Sequence, residues 1–106
     1  MPEEISPDEL RARLEQKRPI VLLDVRDEWE TRLCRLENST HIPIEEIEFR
    51  TDELNPEDEI VVYCHHGIRS AAVADYLRGL GFGKAVNLAG GLDLWARAAD
   101  PSMRRY

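Results

Sequence analysis

The chain has 106 residues, 42% of them apolar and 33% charged, with 21 acidic against 14 basic side chains and a formal charge of −7. That length holds one domain, residues 1–106, with a modest core, and apolar runs such as Ile20 to Leu23 fall far short of the roughly 18 residues a membrane span needs. The start, Met1-Pro2-Glu3-Glu4, is acidic where a secretory leader is basic and then apolar, and no Lys/Arg stripe offers nucleic acid a footing, so a cytoplasmic protein without membrane or nucleic-acid partners is expected.

The first predicted element is a helix. Ser6 caps it, Pro7 takes its first position, and Glu9 closes a capping box. Leu10 and Leu14 give it an apolar stripe before Lys17-Arg18-Pro19 ends it. Ile20-Val21-Leu22-Leu23-Asp24-Val25 runs apolar without alternation, the pattern of a strand buried on both faces. Asp27 to Leu33 is predicted as a short helix, Asn38 to Ile42 as a brief strand closed by Pro43, and Ile44 to Phe49 as one or two helical turns. Glu59 to Tyr63 has the β-branched character of a central parallel strand. Ser70 to Leu80 is predicted as a helix with Val73, Leu77 and Leu80 on its apolar face, ended by Gly79, Gly81 and Gly83. Ala85 to Leu88 is a third apolar strand, Gly90-Gly91 a turn, and Leu92 to Ala98 a last helix. Strands alternating with helices in so short a chain predict an α/β fold, a parallel sheet covered on both faces.

Sites in such sheets form at the carboxyl ends of strands. One strand here ends in Tyr63-Cys64-His65-His66-Gly67-Ile68-Arg69-Ser70 and runs directly into a helix. A thiol becomes a good nucleophile only when its anion is stabilised. A tight loop containing Gly67 can curl backbone N–H groups around the sulfur, the following helix adds its positive end, and Arg69 with a protonated His65 or His66 adds cationic character. No carboxylate occurs between Glu59 and Asp75, although one residue in five is acidic across the chain. A locally positive field in a negative protein suits an anionic nucleophile or substrate. The competing reading is a buried strand-end cysteine beside two solvated histidines.

Four segments, in order, resemble the rhodanese-like domain, a sulfurtransferase module: Leu22-Leu23-Asp24-Val25-Arg26, His41-Ile42-Pro43, the Cys64–Ser70 loop, and Asn87-Leu88-Ala89-Gly90-Gly91 with Trp95. The loop and the ending Asp100-Pro101-Ser102-Met103-Arg104-Arg105-Tyr106 are also similar to those of bacterial stand-alone members. The resemblance covers nearly the whole chain and implies a three-layer fold with a mainly parallel sheet of about five strands. It implies a ping-pong reaction in which Cys64 takes sulfur from a donor such as thiosulfate or a persulfide and passes it to a thiol or a sulfur-carrier protein. His65, His66, Gly67, Ile68, Arg69 and Ser70 then line the anion site, and no metal or cofactor is needed. Related phosphatases carry a loop one residue longer between Cys and Arg, so the shorter loop here favours a terminal sulfur over a tetrahedral oxyanion. A small phosphatase or arsenate reductase, and a non-catalytic domain for partner binding or redox sensing, are the alternatives. Many relatives that use thiosulfate place Arg or Lys directly after the cysteine, where this chain has His65. Thr40 and Ile44 stand where the family usually has glycines around His41 and Pro43.

The remaining polar residues are read as structural. His65 and His66 are adjacent, and adjacent residues rarely point at one ion. Cys34 is placed in a helix as a small, partly buried residue, with a resolving thiol as the sharper alternative, and no disulfide is expected. Asp24 is expected to anchor loops, and Arg26 to pair with a carboxylate such as Glu30. His41 is read as a hydrogen-bonded turn residue, Gly90-Gly91 as a turn that lets backbone approach the loop, and Trp95 as core. Arg97, Arg104 and Arg105 are read as a solvated tail, and the site as open.

Overall fold

The computed structural model describes residues 3–106, so Met1-Pro2 of the acidic start lies outside the described residues. Its strands are β1 (Glu4–Ile5), β2 (Ile20–Asp24), β3 (Thr40–His41), β4 (Glu59–Tyr63) and β5 (Ala85–Leu88). Its helices are α1 (Pro7–Glu15), α2 (Glu28–Leu33), α3 (Ile47–Arg50), α4 (Ile68–Gly79) and α5 (Gly91–Ala98). Short 3-10 turns, Ile44–Glu46 and Thr51–Glu53, flank α3. The five strands form one parallel sheet in the order β1-β5-β4-β2-β3. This is the expected α/β class.

Alternation along the strands divides the core in two. Leu23, Ile60, Val62 and Cys64 join Ile47, Val73 and Leu77 on the face covered by α3 and α4. Leu22, Val61 and Tyr63 join Leu10, Leu92 and Trp95 on the face covered by α1 and α5. Strands that are apolar at every position are therefore strands with helices on both sides.

The α1 capping box is formed: Ser6 Oγ accepts from the Glu9 amide at 3.1 Å, and Glu9 Oε1 accepts from the Ser6 amide at 3.0 Å. Other boundaries move for local reasons. Gly67 sits at φ +91°, which turns the chain straight into α4 at Ile68 rather than Ser70. That helix stops at Gly79, and Leu80 is 50% exposed instead of completing the apolar face. Phe82, whose amide donates to Leu77 O at 3.0 Å, is buried there in its place. Cys34 lies just past α2 in extended conformation, not inside a helix. The strand β1, two residues long, is too short to leave a pattern in the sequence.

Beneath the carboxyl end of the sheet lies a buried ion pair. Arg26 and Asp24 are 0% and 1% exposed, and Arg26 Nε and Nη2 donate to the two Asp24 carboxylate oxygens at 2.9 and 2.7 Å. The chain bends at Arg26, whose amide donates to Asp24 Oδ1 at 3.0 Å, and this local turn brings the two side chains together. The expected pairing of Arg26 with the Glu30 carboxylate is therefore replaced: Arg26 reaches only the Glu30 carbonyl, at 3.4 Å, while Nη2 donates to Cys34 O at 2.7 Å. Truncating Asp24→Ala strands a buried guanidinium, a change that costs about 3–5 kcal/mol. Urea unfolding followed by circular dichroism should show a midpoint at least ~1 M below wild type; an unchanged midpoint would remove this pair from the supports of the fold.

Candidate active site

Cys64 follows the last residue of β4 and, by the strand's alternation, belongs to the α4 face. It is 1% exposed, and four hydrogen-bond donors surround its sulfur. The Gly67 amide stands 3.1 Å from Sγ, the Ser70 amide 3.4 Å and Ser70 Oγ 3.3 Å, with the His66 amide as the fourth. Burial alone would push the thiol up; these donors outweigh it and hold Cys64 below the ordinary thiol value. The positive end of the 12-residue helix α4 adds to the same effect.

Three carbonyls of the loop are fastened from the outside. The first amides of α5 hold two of them, Leu92 N donating to Cys64 O and Asp93 N to His65 O, both at 2.9 Å. Asn87 Nδ2 holds the third, donating to Gly67 O at 3.1 Å. This contact requires the glycine turn. At Gly91, φ +61°, an added Cβ would lie 2.5 Å from His65 O and 2.6 Å from Cys64 O.

Ser70 and Asn87 share a proton with the sulfur. Ser70 Oγ lies 2.5 Å from Asn87 Oδ1 as well as near Sγ, and a hydroxyl carries one hydrogen. Asn87 is oriented by its Nδ2, which donates to Gly67 O and to Glu4 Oε2. When Cys64 is a thiol, its S–H can donate to Ser70 Oγ while Ser70 serves Asn87. When Cys64 ionises, the Ser70 proton turns to the sulfur.

The other loop residues are placed differently from expectation. The Ile68 side chain is 78% exposed, so Ile68 contributes backbone only. Arg69 is not a free cation: its Nη1 and Nη2 donate to Glu30 Oε1 and Oε2 at 2.8 and 3.0 Å. Burial would raise the Glu30 carboxyl, but Arg69, the Asp27 amide and the Tyr106 hydroxyl overrule it and bring it to about 2. The His65 ring stacks between His66, at 4.1 Å between centroids, and Tyr106, at 3.8 Å. Burial and the neighbouring His66 lower the pKa of His65, so His65 adds no cationic character at neutral pH.

His65, His66 and Asp93 bring possible ligand atoms within 4.8 Å of one another. The two rings lie within 27° of parallel, which sends their in-plane lone pairs side by side rather than to one point. Asp93 is moreover engaged by Arg97 at 3.2 Å and Arg105 at 3.3 Å. The donor set suits an ion pair better than a metal.

The basic tail is not simply solvated, since Arg97 and Arg105 close on Asp93 and the chain end lies against His65. The site is thus walled on one side. His41 donates from Nε2 to Arg26 O at 2.7 Å and supports the neighbouring turn. Cys34 and Cys64 are both free thiols, and Cys34 is half-buried against the α1/α5 face. Three residues were not singled out from sequence for what they do here. Asn87 carries a signal, a lone amide in an apolar strand; Glu30 enters only as a partner for Arg26 and Tyr106 only as part of the family-like ending, and nothing in the sequence brings either to the Cys64 loop.

A family model of the rhodanese-like domain matches residues 6–98. A protein named sulfurtransferase from Allochromatium vinosum is 32% identical over 101 residues, 95% of this chain and 94% of that protein. The putative sulfur carrier protein YrkF of Bacillus subtilis is 35% identical over 92 residues, 87% of this chain but only 50% of YrkF, so the chain spans about half of that relative's length. A rhodanese-like domain protein from Staphylococcus aureus superposes with a TM-score of 0.85 at 31% identity, covering 100% of this chain and 99% of the other. The chain belongs to the rhodanese-like domain family.

Proposed function

We propose that this protein is a rhodanese-type sulfurtransferase with Cys64 as the sulfur carrier. The observation that carries this reading is the buried sulfur ringed by three amides and a hydroxyl, with a thiol pKa held below the ordinary value. The names of relatives along most of the chain support sulfur transfer in general. The bidentate commitment of Arg69 to Glu30 favours sulfur transfer over ester hydrolysis, because the loop's own guanidinium is engaged by a carboxylate rather than open to a phosphoryl oxyanion.

The Cys64 thiolate attacks the outer sulfur of a sulfane donor. With thiosulfate, a bond forms between Cys64 Sγ and that sulfur while the donor's S–S bond breaks, and sulfite leaves with the electron pair. Cys64 is left as a persulfide anion. An acceptor nucleophile then attacks the terminal sulfur, the persulfide bond breaks, and the pair returns to Cys64 as thiolate. Charge balances at each step without proton transfer. Fixed backbone donors suit both states because they need no reorganisation between them. The small anionic donor and a thiol or sulfur-carrier acceptor follow from this chemistry. Two free thiols suit a reducing compartment such as the cytoplasm; among the described residues no helix is long and apolar enough to cross a membrane.

Incubation with thiosulfate and intact mass spectrometry should show a gain of one sulfur that cyanide removes as thiocyanate. Cys64→Ser should abolish the gain and Cys34→Ser should keep it. A wild-type protein that gains no sulfur from thiosulfate or from a low-molecular-weight persulfide would defeat the proposal.

Ser70→Ala removes a donor to the sulfur anion, so the Cys64 pKa must rise. The pH midpoint of Cys64 alkylation by iodoacetamide, followed in a Cys34→Ser background, should move up by about one pH unit. A midpoint that stays or falls would show that Ser70 does not stabilise the thiolate.

A further inference from the structure

The last seven residues take no part in the reaction scheme, yet each step of their path is fixed. Asp100 N donates to Trp95 O at 3.0 Å, and Asp100 Oδ1 accepts from Ser102 N at 3.2 Å and Ser102 Oγ at 2.5 Å. This turn reverses the chain beyond α5. Met103 packs against the cluster containing Trp95, and Arg105 pairs with Asp93 in the first turn of α5. The path delivers the Tyr106 ring to the mouth of the Cys64 loop.

Tyr106 meets the loop at both ends. Its ring lies 3.8 Å from that of His65 at an interplanar angle of 10°, face on face, and meets Trp29 edge-on at 6.0 Å. Its hydroxyl donates to Glu30 Oε2 at 2.7 Å and accepts from Arg26 Nη1 at 2.8 Å. The same Glu30 carboxylate receives both Nη groups of Arg69. One side chain therefore contacts the first residue after the cysteine directly and, through a single carboxylate, Arg69 in the first turn of α4.

We propose that Tyr106 is a positioning residue for the Cys64 loop, clamping its entry through the His65 stack and its exit through the Glu30–Arg69 pair. The inference rests on Cys64 being the sulfur-carrying group, and it concerns how that group is kept ready. The contacts around the sulfur run from 3.1 to 3.4 Å, where a displacement of a few tenths of an ångström already weakens a hydrogen bond. The loop carbonyls are held from the α5 side by Leu92, Asp93 and Asn87. Nothing on that side holds the His65 and Arg69 side chains, and Tyr106 supplies the opposing restraint. The alternation of polar and apolar work along Asp100-Pro101-Ser102-Met103-Arg104-Arg105-Tyr106 accounts for why that segment, and not a generic polar tail, follows α5.

The test uses Tyr106→Ala, which removes ring and hydroxyl, and Tyr106→Phe, which keeps the stack and loses the bridge to Glu30 and Arg26, both in the Cys34→Ser background with folding verified by circular dichroism. Cys64 alkylation by iodoacetamide is followed across pH beside sulfur uptake from thiosulfate. Tyr106→Ala should slow alkylation near neutral pH about fivefold and move the pH midpoint up toward that of a free thiol, with Tyr106→Phe between it and wild type. A folded Tyr106→Ala protein with the wild-type profile overturns the clamp, and so does faster alkylation, which would make Tyr106 a shield rather than a support. The two proposals fail separately: absence of sulfur uptake in wild type with a shifted profile in Tyr106→Ala defeats sulfur transfer alone, whereas normal wild-type uptake with an unshifted profile defeats the clamp alone.

Discussion

A buried sulfur anion is tolerable only if hydrogen bonds replace the water it has lost, and that requirement organises the carboxyl end of this sheet. Cys64 is inside the core by virtue of strand alternation, on the same face as Val62 and Val73. Left in apolar packing it would be an inert thiol with a raised pKa. The short turn through Gly67 brings amides to it, and the loop backbone is fastened from outside: the first amides of α5 hold the Cys64 and His65 carbonyls, and the Asn87 side chain holds that of Gly67. The His65 carbonyl shares its peptide with one of the sulfur's donors, the His66 amide. Gly91 therefore belongs to the site as much as Gly67 does, since a side chain there would collide with the Cys64 and His65 carbonyls.

Around that ring lies a second web of paired charges. Arg26 neutralises Asp24 in the interior, Arg69 neutralises Glu30 at the rim, and Arg97 and Arg105 neutralise Asp93 on the other side. The buried pair Arg26–Asp24 adds little net stability, because desolvation cancels most of its attraction, but losing one partner is costly, and the half-exposed pairs at the rim are weaker still. Their value here is geometric. Arg26 links β2 to the Cys34 carbonyl and to Tyr106, and Tyr106 links Arg26 to Glu30. Parts of the chain remote in sequence are thereby held in one arrangement around a loop of few residues.

The architecture was legible because its signals are local and repeated. Uninterrupted apolar strands such as Ile20–Leu23 and Ile60–Tyr63 mean burial on both faces, and Ser6-Pro7 with Glu9 marks a helix start by hydrogen-bond chemistry that acts over three residues. Cys64 and its loop were legible for the same reason. What sequence left hidden are long-range pairings. That Arg69 belongs to Glu30, and Arg26 to Asp24 rather than Glu30, depends on which side chains project to one side after folding. The acid-free stretch around Cys64 was a true feature of the sequence, yet Glu30 and Asp93 enter the neighbourhood from elsewhere. The departures of Thr40 and Ile44 from the family's glycines leave β3 in place, because both flank the His41–Arg26 hydrogen bond rather than form it.

This matching of charges changes the origin of the positive field at the sulfur. The sequence pointed to cations, Arg69 and the two histidines, whereas the structure commits Arg69 to a carboxylate and stacks His65 in a form that resists protonation. What touches the sulfur is dipolar, amides, one hydroxyl and a helix end, with the Arg69 charge acting from behind its pairing with Glu30. Dipoles act over short distances, so they stabilise an anion seated among them and contribute little to drawing a donor from afar. The arrangement therefore acts at contact range, and stabilising an anion at Cys64 Sγ belongs to backbone geometry. Beside the loop, in a chain of net charge −7, His66 is exposed, and the exposed Arg104 lines a small hollow with His65 and Tyr106. Electrostatics of that short range act on whatever is already seated in the loop and leave its approach to the shape of the surface around it.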